Sequence, residues 1–123
     1  DISMADTPVI DPEAIENLRS LNPGDNDEFL AEIVNIFLDD TPQRIAELEQ
    51  SLATGDVPRF ARAAHSIKGS SANLGAMALR AAAEKLEHLA RREGLAAVEP
   101  LLLEIKSQFA LAHAELKTLL SGK

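Results

Sequence analysis

The sequence predicts an all-α fold, an antiparallel four-helix bundle (up-down-up-down) with an additional short N-terminal helix. Three observations carry this expectation. Four long stretches place apolar residues at helical spacing and are joined by short turns. No stretch alternates apolar and polar residues as a half-buried strand would. The chain is 46% hydrophobic over 123 residues but has only four Phe and no Trp or Tyr. Its core must therefore be built from Leu, Ile, Val and Ala, which suits close helix packing.

Residues 1–9 are expected to form a flexible tail, in which Met4 could mark an internal start, and residues 10–121 the bundle domain. Asp11-Pro12-Glu13 reads as a helix start, with Asp as N-cap and Pro at the first helical position. That first helix runs through Ile15, Leu18 and Leu21 and is ended by Asn22-Pro23-Gly24. Asp25 and Glu28 have the spacing of a variant capping box and open the longest stretch. Phe29, Leu30, Ile33, Val34 and Phe37 recur at helical spacing there, and Ile45, Leu48 and Leu52 continue after Pro42. A proline at that place removes one intrahelical hydrogen bond and crowds the preceding turn. The expectation is one long helix kinked near Thr41-Pro42, or two nearly collinear helices, closed by Gly55.

The third long element begins near Asp56-Val57-Pro58 and ends at Gly75. The next runs from about Met77 to Glu93, with Leu79, Leu86 and Leu89 inward and Gly94 as its stop. The last is expected to start near Leu95. Its Val98, Leu101, Ile105, Phe109, Ala112, Leu116 and Leu119 alternate in steps of four and three, as bundle packing requires.

Composition excludes several function classes. With no cysteine, disulfides, thiolate chemistry and zinc-thiolate sites are ruled out. No apolar run approaches the roughly 20 residues of a membrane-spanning helix, and the N-terminus lacks the plan of a signal peptide; a cytoplasmic location is expected. The formal net charge is −8, with twelve Lys and Arg against twenty acids. Nucleic-acid binding normally shows a basic patch or stripe, so no nucleic-acid partner is expected. Arg59, Arg62, Lys68, Arg80, Lys85, Arg91 and Arg92 are a local exception. They read either as solvated, ion-paired faces or as a less acidic patch that meets an acidic site on a partner.

The most informative run is Ala64-His65-Ser66-Ile67-Lys68-Gly69-Ser70-Ser71-Ala72-Asn73-Leu74-Gly75-Ala76. At about 100° per residue, Phe60, Ala64, Ile67, Ser71 and Leu74 share a core-facing stripe. On the same wheel His65 lies roughly 160° from Ile67, with Ala61, Ala72 and Gly69 on the same solvent side and Lys68 at roughly 100°. Gly69 sits four residues after His65, one turn along the same face. A helical glycine costs about 1 kcal/mol relative to alanine, which makes sense if another molecule must come close to the imidazole. Ala61, Gly69 and Ala72 are therefore candidate partner-binding positions, and His65 and Lys68 candidate chemical ones. An exposed imidazole supplies an unprotonated nitrogen nucleophile at neutral pH.

This run resembles the signature of histidine-containing phosphotransfer (HPt) domains, which reads His-x-x-Lys-Gly-small-small-x-x-Leu-Gly-Ala. It fits at every position. Phe37 to Pro42 with Gly55-Asp56 resembles the family's upstream helix, and Leu79 through Leu86-Glu87 the helix after the site, so roughly residues 10–120 are covered. The resemblance implies a phosphorelay intermediate that carries a phosphoryl group on His65 between aspartates of receiver domains. Lys68 would stabilise the charge of the moving group. It implies no cofactor of the chain's own, since the acceptor aspartate and a Mg²⁺ ion belong to the partner. The expected partners are receiver domains of response regulators or of a hybrid histidine kinase, met by a monomer. Lys68-Gly69-Ser70-Ser71 lacks the glycine-rich lead of a phosphate-binding loop and sits within a helix, so the implied role is a carrier and not a kinase.

Other residues read as structural. Ser70 and Ser71 lie near the core stripe and suit helix packing; neither they nor Ser66 have a second histidine positioned as a base. Asn73 suits the helix end, and His88 and His113 lack a lysine-glycine companion. Two alternatives remain at this level: a helical adaptor without relay activity, and a metal-binding four-helix bundle. The second needs Glu-x-x-His pairs from separate helices, whereas Glu84, Glu87 and His88 supply a single acidic-histidine cluster of other spacing.

Overall fold

Capping chemistry sets most of the helix boundaries. A computed structural model describes residues 7–121 and forms five helices among them: α1 Pro12–Ser20, α2 Glu28–Thr54, α3 Val57–Leu74, α4 Met77–Glu93 and α5 Glu99–Ser121. The Asp11 carboxylate accepts from Glu13 N–H at 3.0 Å and starts α1. Asp56 does the same for α3 through Arg59 N–H at 3.2 Å. Gly55 and Gly75 end α2 and α3 in the left-handed region, where glycine alone carries no Cβ penalty.

Three expectations are corrected. The N-cap of α2 is Asp27, in the left-handed region at φ 66°, two residues later than the expected box. Asp25 still serves the helix end, accepting from Asp27 N–H at 3.1 Å and Phe29 N–H at 2.9 Å. Asp27 is held by Arg19 Nε from α1, at 3.2 and 3.1 Å from its two oxygens. The last helix starts at Glu99 and not near Leu95. Pro100 is the reason: in the first turn its missing N–H is harmless, whereas a helix from Leu95 would place it in the interior. Residues 8 and 9 of the expected flexible tail are seated on the bundle. Pro8 O accepts from Ala78 N–H at 3.0 Å and Val9 packs on the core, while residues 1–6 lie outside the described residues.

Pro42 lies inside a single 27-residue helix, which answers the choice between one helix and two. The proline is exposed, so its ring faces solvent while Phe37, Leu38, Thr41 and Leu48 face inward.

α3 packs against α2 and α4, α5 closes the ring against α4 and α2, and α1 lies across α2 and α3. The core holds Leu30, Val34, Leu48, Phe60, Ile67, Leu74, Leu79, Leu86, Ile105 and Leu116, all essentially inaccessible. Burial of each such side chain contributes about 1.5–3 kcal/mol. No helix is long and apolar enough to cross a membrane among the described residues.

Candidate functional site

α3 is flanked on both sides, by α2 and by α4, and this decides what its solvent face can present. Its buried residues are Phe60, Ala61, Ala63, Ala64, Ile67, Ser71 and Leu74. The buried arc is thus wider than the single stripe expected, and extends on the α4 side as far as Ala61. That corrects one position: Ala61 is fully buried and presents nothing to a partner. Gly69 and Ala72 are exposed, as is His65.

His65 stands at the edge of the buried arc, so its ring is largely in solvent yet touches α4. Its side chain is 62% exposed, and Nδ1 lies 3.2 and 3.1 Å from the two oxygens of Glu87. Glu87 is buried, with a side chain only 8% exposed. Lys68 Nζ donates to Oε1 at 3.1 Å, and Arg91 Nε to Oε2 at 3.1 Å. Burial alone would push the Glu87 carboxyl up. The hydrogen bonds from Lys68, His65 and Arg91 outweigh it and hold the group below the ordinary carboxylate range. Glu87 is therefore an ionised, buried hub with donors from two helices.

An ionised carboxylate only accepts, so Nδ1 of a neutral His65 carries the proton. The lone pair is then on Nε2, away from Glu87. Carboxylate–imidazole pairs of this kind fix both tautomer and ring orientation. The arrangement supplies a nucleophilic nitrogen, a counter-charge for the ring behind it and a lysine beside it.

Sequence reasoning missed Glu87, which it used only as part of a helix resemblance and of a metal alternative. The signal was available: Glu87 follows Ala83 by four and precedes Ala90 by three, both buried, so an acid stands on the apolar stripe of α4. A buried acid requires a compensating partner.

The remaining residues fall as follows. A Cβ at Gly69 would meet nothing within 4 Å, so no intramolecular contact requires glycine there. Ser71 is buried and Ser70 donates to Ile67 O at 3.3 Å. His88 is exposed, and His113 lies edge-on to Phe109, away from this cluster. Among the described residues no group of three His, Cys, Asp or Glu side chains is placed to hold a metal ion. Of the basic patch, Arg59 bonds Gln50, Arg80 faces Glu84 and Arg92 pairs with Glu93. Arg62, three residues before His65, is exposed.

Known proteins resemble this chain in sequence and in fold. A family model described as Hpt domain matches residues 32–121. The chain is similar to Histidine-containing phosphotransfer protein 1 of Arabidopsis thaliana, 24% identical over 113 residues, covering 90% of this chain and 73% of that protein. It is also similar to Multistep phosphorelay regulator 1 of Schizosaccharomyces pombe, 29% identical over 93 residues; there it spans 73% of this chain but only 32% of that protein. Among solved structures, histidine-containing phosphotransfer protein B from Pseudomonas aeruginosa superposes with a TM-score of 0.85 at 28% identity, covering 94% of this chain and 97% of that one. The maize phosphotransfer protein ZmHP2 gives 0.82 at 26% identity, covering 91% and 83%. The family match spans most of the four-helix bundle and contains His65, Lys68 and Glu87, and the likeness to solved phosphotransfer proteins extends over the whole fold: this chain belongs to the Hpt domain family of phosphorelay phosphotransfer domains.

Proposed function

We propose that Nε2 of His65 is the atom that carries the phosphoryl group between aspartates of partner receiver domains. The observation that supports this reading best is the pairing of an exposed ring with a buried carboxylate on its other nitrogen. In the forward step the Nε2 lone pair attacks the phosphorus of a receiver's phosphoaspartate. The N–P bond forms as the aspartyl O–P bond breaks, and the aspartate leaves as a carboxylate. No proton is gained or lost. The ring, now substituted on Nε2 and protonated on Nδ1, is cationic, and Glu87 neutralises it across the Nδ1–H bond. Passage to a second receiver is the same step in reverse.

Lys68 meets the transferring oxygens, because phosphoryl transfer depends mainly on positioning and charge stabilisation. Gly69 and Ala72 leave the space through which the receiver's active site, with its acceptor aspartate and its Mg²⁺, approaches. The protein docks as a monomer, and the chain contributes no cofactor.

Phosphotransfer from a labelled, phosphorylated receiver domain tests the assignment. Wild type is expected to take up label that is acid-labile and base-stable, as an N–P bond is, and His65→Gln to take up none while remaining folded. Label on His65→Gln would overturn the assignment. Lys68→Ala is expected to lose about 1–3 kcal/mol of transition-state stabilisation, the range of one charge-assisted contact, with the fold intact.

A further inference from the structure

Lys68 in the unphosphorylated protein is already engaged. Its ammonium sits on Glu87 Oε1 at 3.1 Å, and only 24% of its side chain is exposed. To meet a phosphoryl group on Nε2 it must loosen that contact and leave a buried carboxylate short of a donor. Withdrawing one partner from a buried charge is costly. Arg91 offers a way around the cost. It holds the other oxygen, Oε2, at 3.1 Å, and it does so from the same helix as Glu87, one turn away. That contact does not depend on how α3 or its side chains move.

We propose that Arg91 is a positioning residue that keeps Glu87 compensated while Lys68 moves from the carboxylate to the phosphoryl group. This rests on the reading that Lys68 serves the transferring group. The hub holds two cations against one carboxylate so that one of them can leave. Phosphorylation assists, because the ring becomes cationic and strengthens its own bond to Glu87. Arg91 touches neither phosphate nor partner in this account and acts only through Glu87 and Lys68. A plain surface pair would behave differently. Arg91 is 53% exposed, and an exposed i,i+4 ion pair adds little to stability and nothing to transfer.

A double-mutant cycle on the full chain separates these. Transfer rates are measured for wild type, Lys68→Ala, Arg91→Ala and the double variant. Two phosphoryl donors are used: a phosphorylated receiver domain that charges wild type, and phosphoramidate, a small N–P donor with no docking surface. Arg91→Ala is expected to slow transfer about tenfold from both donors, with its melting temperature close to wild type and with Arg91→Lys restoring most of the rate. In the Lys68→Ala background the same substitution should cost less than about twofold, since coupled residues are non-additive. An unchanged rate in Arg91→Ala overturns the proposal. So does an equal loss in both backgrounds, or a loss with the receiver alone, which would place Arg91 in docking. If Lys68→Ala itself transfers at the wild-type rate, the role of Lys68 fails and this inference falls with it. A Lys68-dependent, Arg91-independent rate removes this inference alone.

Discussion

Glu87 gives this protein an acid sensitivity whose sign follows from the donors around it. Its folded-state pKa lies below the ordinary 4.5, so its contribution to stability is fully present above that value. It is lost as pH falls through the lower folded value. Glu87→Gln is expected to remove that part of the acid loss and to slow transfer at least about tenfold, because the ring cation loses its counter-charge. Thermal melts of both proteins across the acid range check this; parallel curves would show that the hub makes no net contribution. At Gly69 structure and function pull in opposite directions. Open space around the missing Cβ means that Gly69→Ala should stabilise the helix by up to about 1 kcal/mol. Transfer from a receiver should fall with side-chain volume, slightly for Ala and severely for Leu. Full transfer in a stabilised Gly69→Leu would move the docking face elsewhere. The exposure of His65 and Gly69 was legible in the sequence because both lie far from the apolar stripe. Ala61 was not, because a helical wheel with one stripe presumes one neighbour and α3 has two. Partners drawn from different helices, such as His65 and Glu87, leave no fixed spacing to read.

Helix boundaries were legible wherever a residue type has one strong use: Asp11-Pro12, Gly55, Asp56 with Pro58, and Gly75. They failed where two signals competed. Asp25 and Asp27 are both plausible caps, and the left-handed backbone at Asn26 and Asp27 settles the choice in a way that no spacing shows. Pro100 was overlooked in favour of Gly94. Gly75 is the tightest of these junctions. Its φ is +83°, and a Cβ there would lie 2.5 Å from Ala14 Cβ, where Gly75 O also accepts from Asp11 N–H at 2.8 Å. Gly75→Ala is therefore expected to cost about 2 kcal/mol or more, the sum of backbone strain and overpacking. Adding Ala14→Gly should recover the packing part and leave the strain. Denaturant unfolding of the two variants measures the split, and an unaltered midpoint in Gly75→Ala would mean that α1 is not seated on this turn.

For the molecule as a whole, the formal charge of −8 sets an unfavourable field for any acidic partner, and the basic residues near His65 locally offset it. Most are spoken for by neighbouring acids or amides, among them Arg59, Lys68, Arg80, Arg91 and Arg92. Exposed Arg62, one turn from His65, is the position at which charge should matter most to association. Arg62→Glu is expected to weaken receiver binding several-fold at low salt, the difference shrinking as ionic strength rises. Its labelling by phosphoramidate should stay at the wild-type rate. A salt-independent loss would point to a disturbed fold.

The Glu87 contact also has a regiochemical consequence. Phosphohistidine exists as two isomers, and on the proposed chemistry a ring whose Nδ1 faces a buried carboxylate 3.1 Å away should be modified on the other nitrogen. A phosphoryl group stored there would sit at the far end of the ring from Glu87, so that loading and unloading would leave the Nδ1 contact in place. Reagents selective for the Nε2 isomer should register the loaded protein completely, and those selective for the Nδ1 isomer should be blind to it.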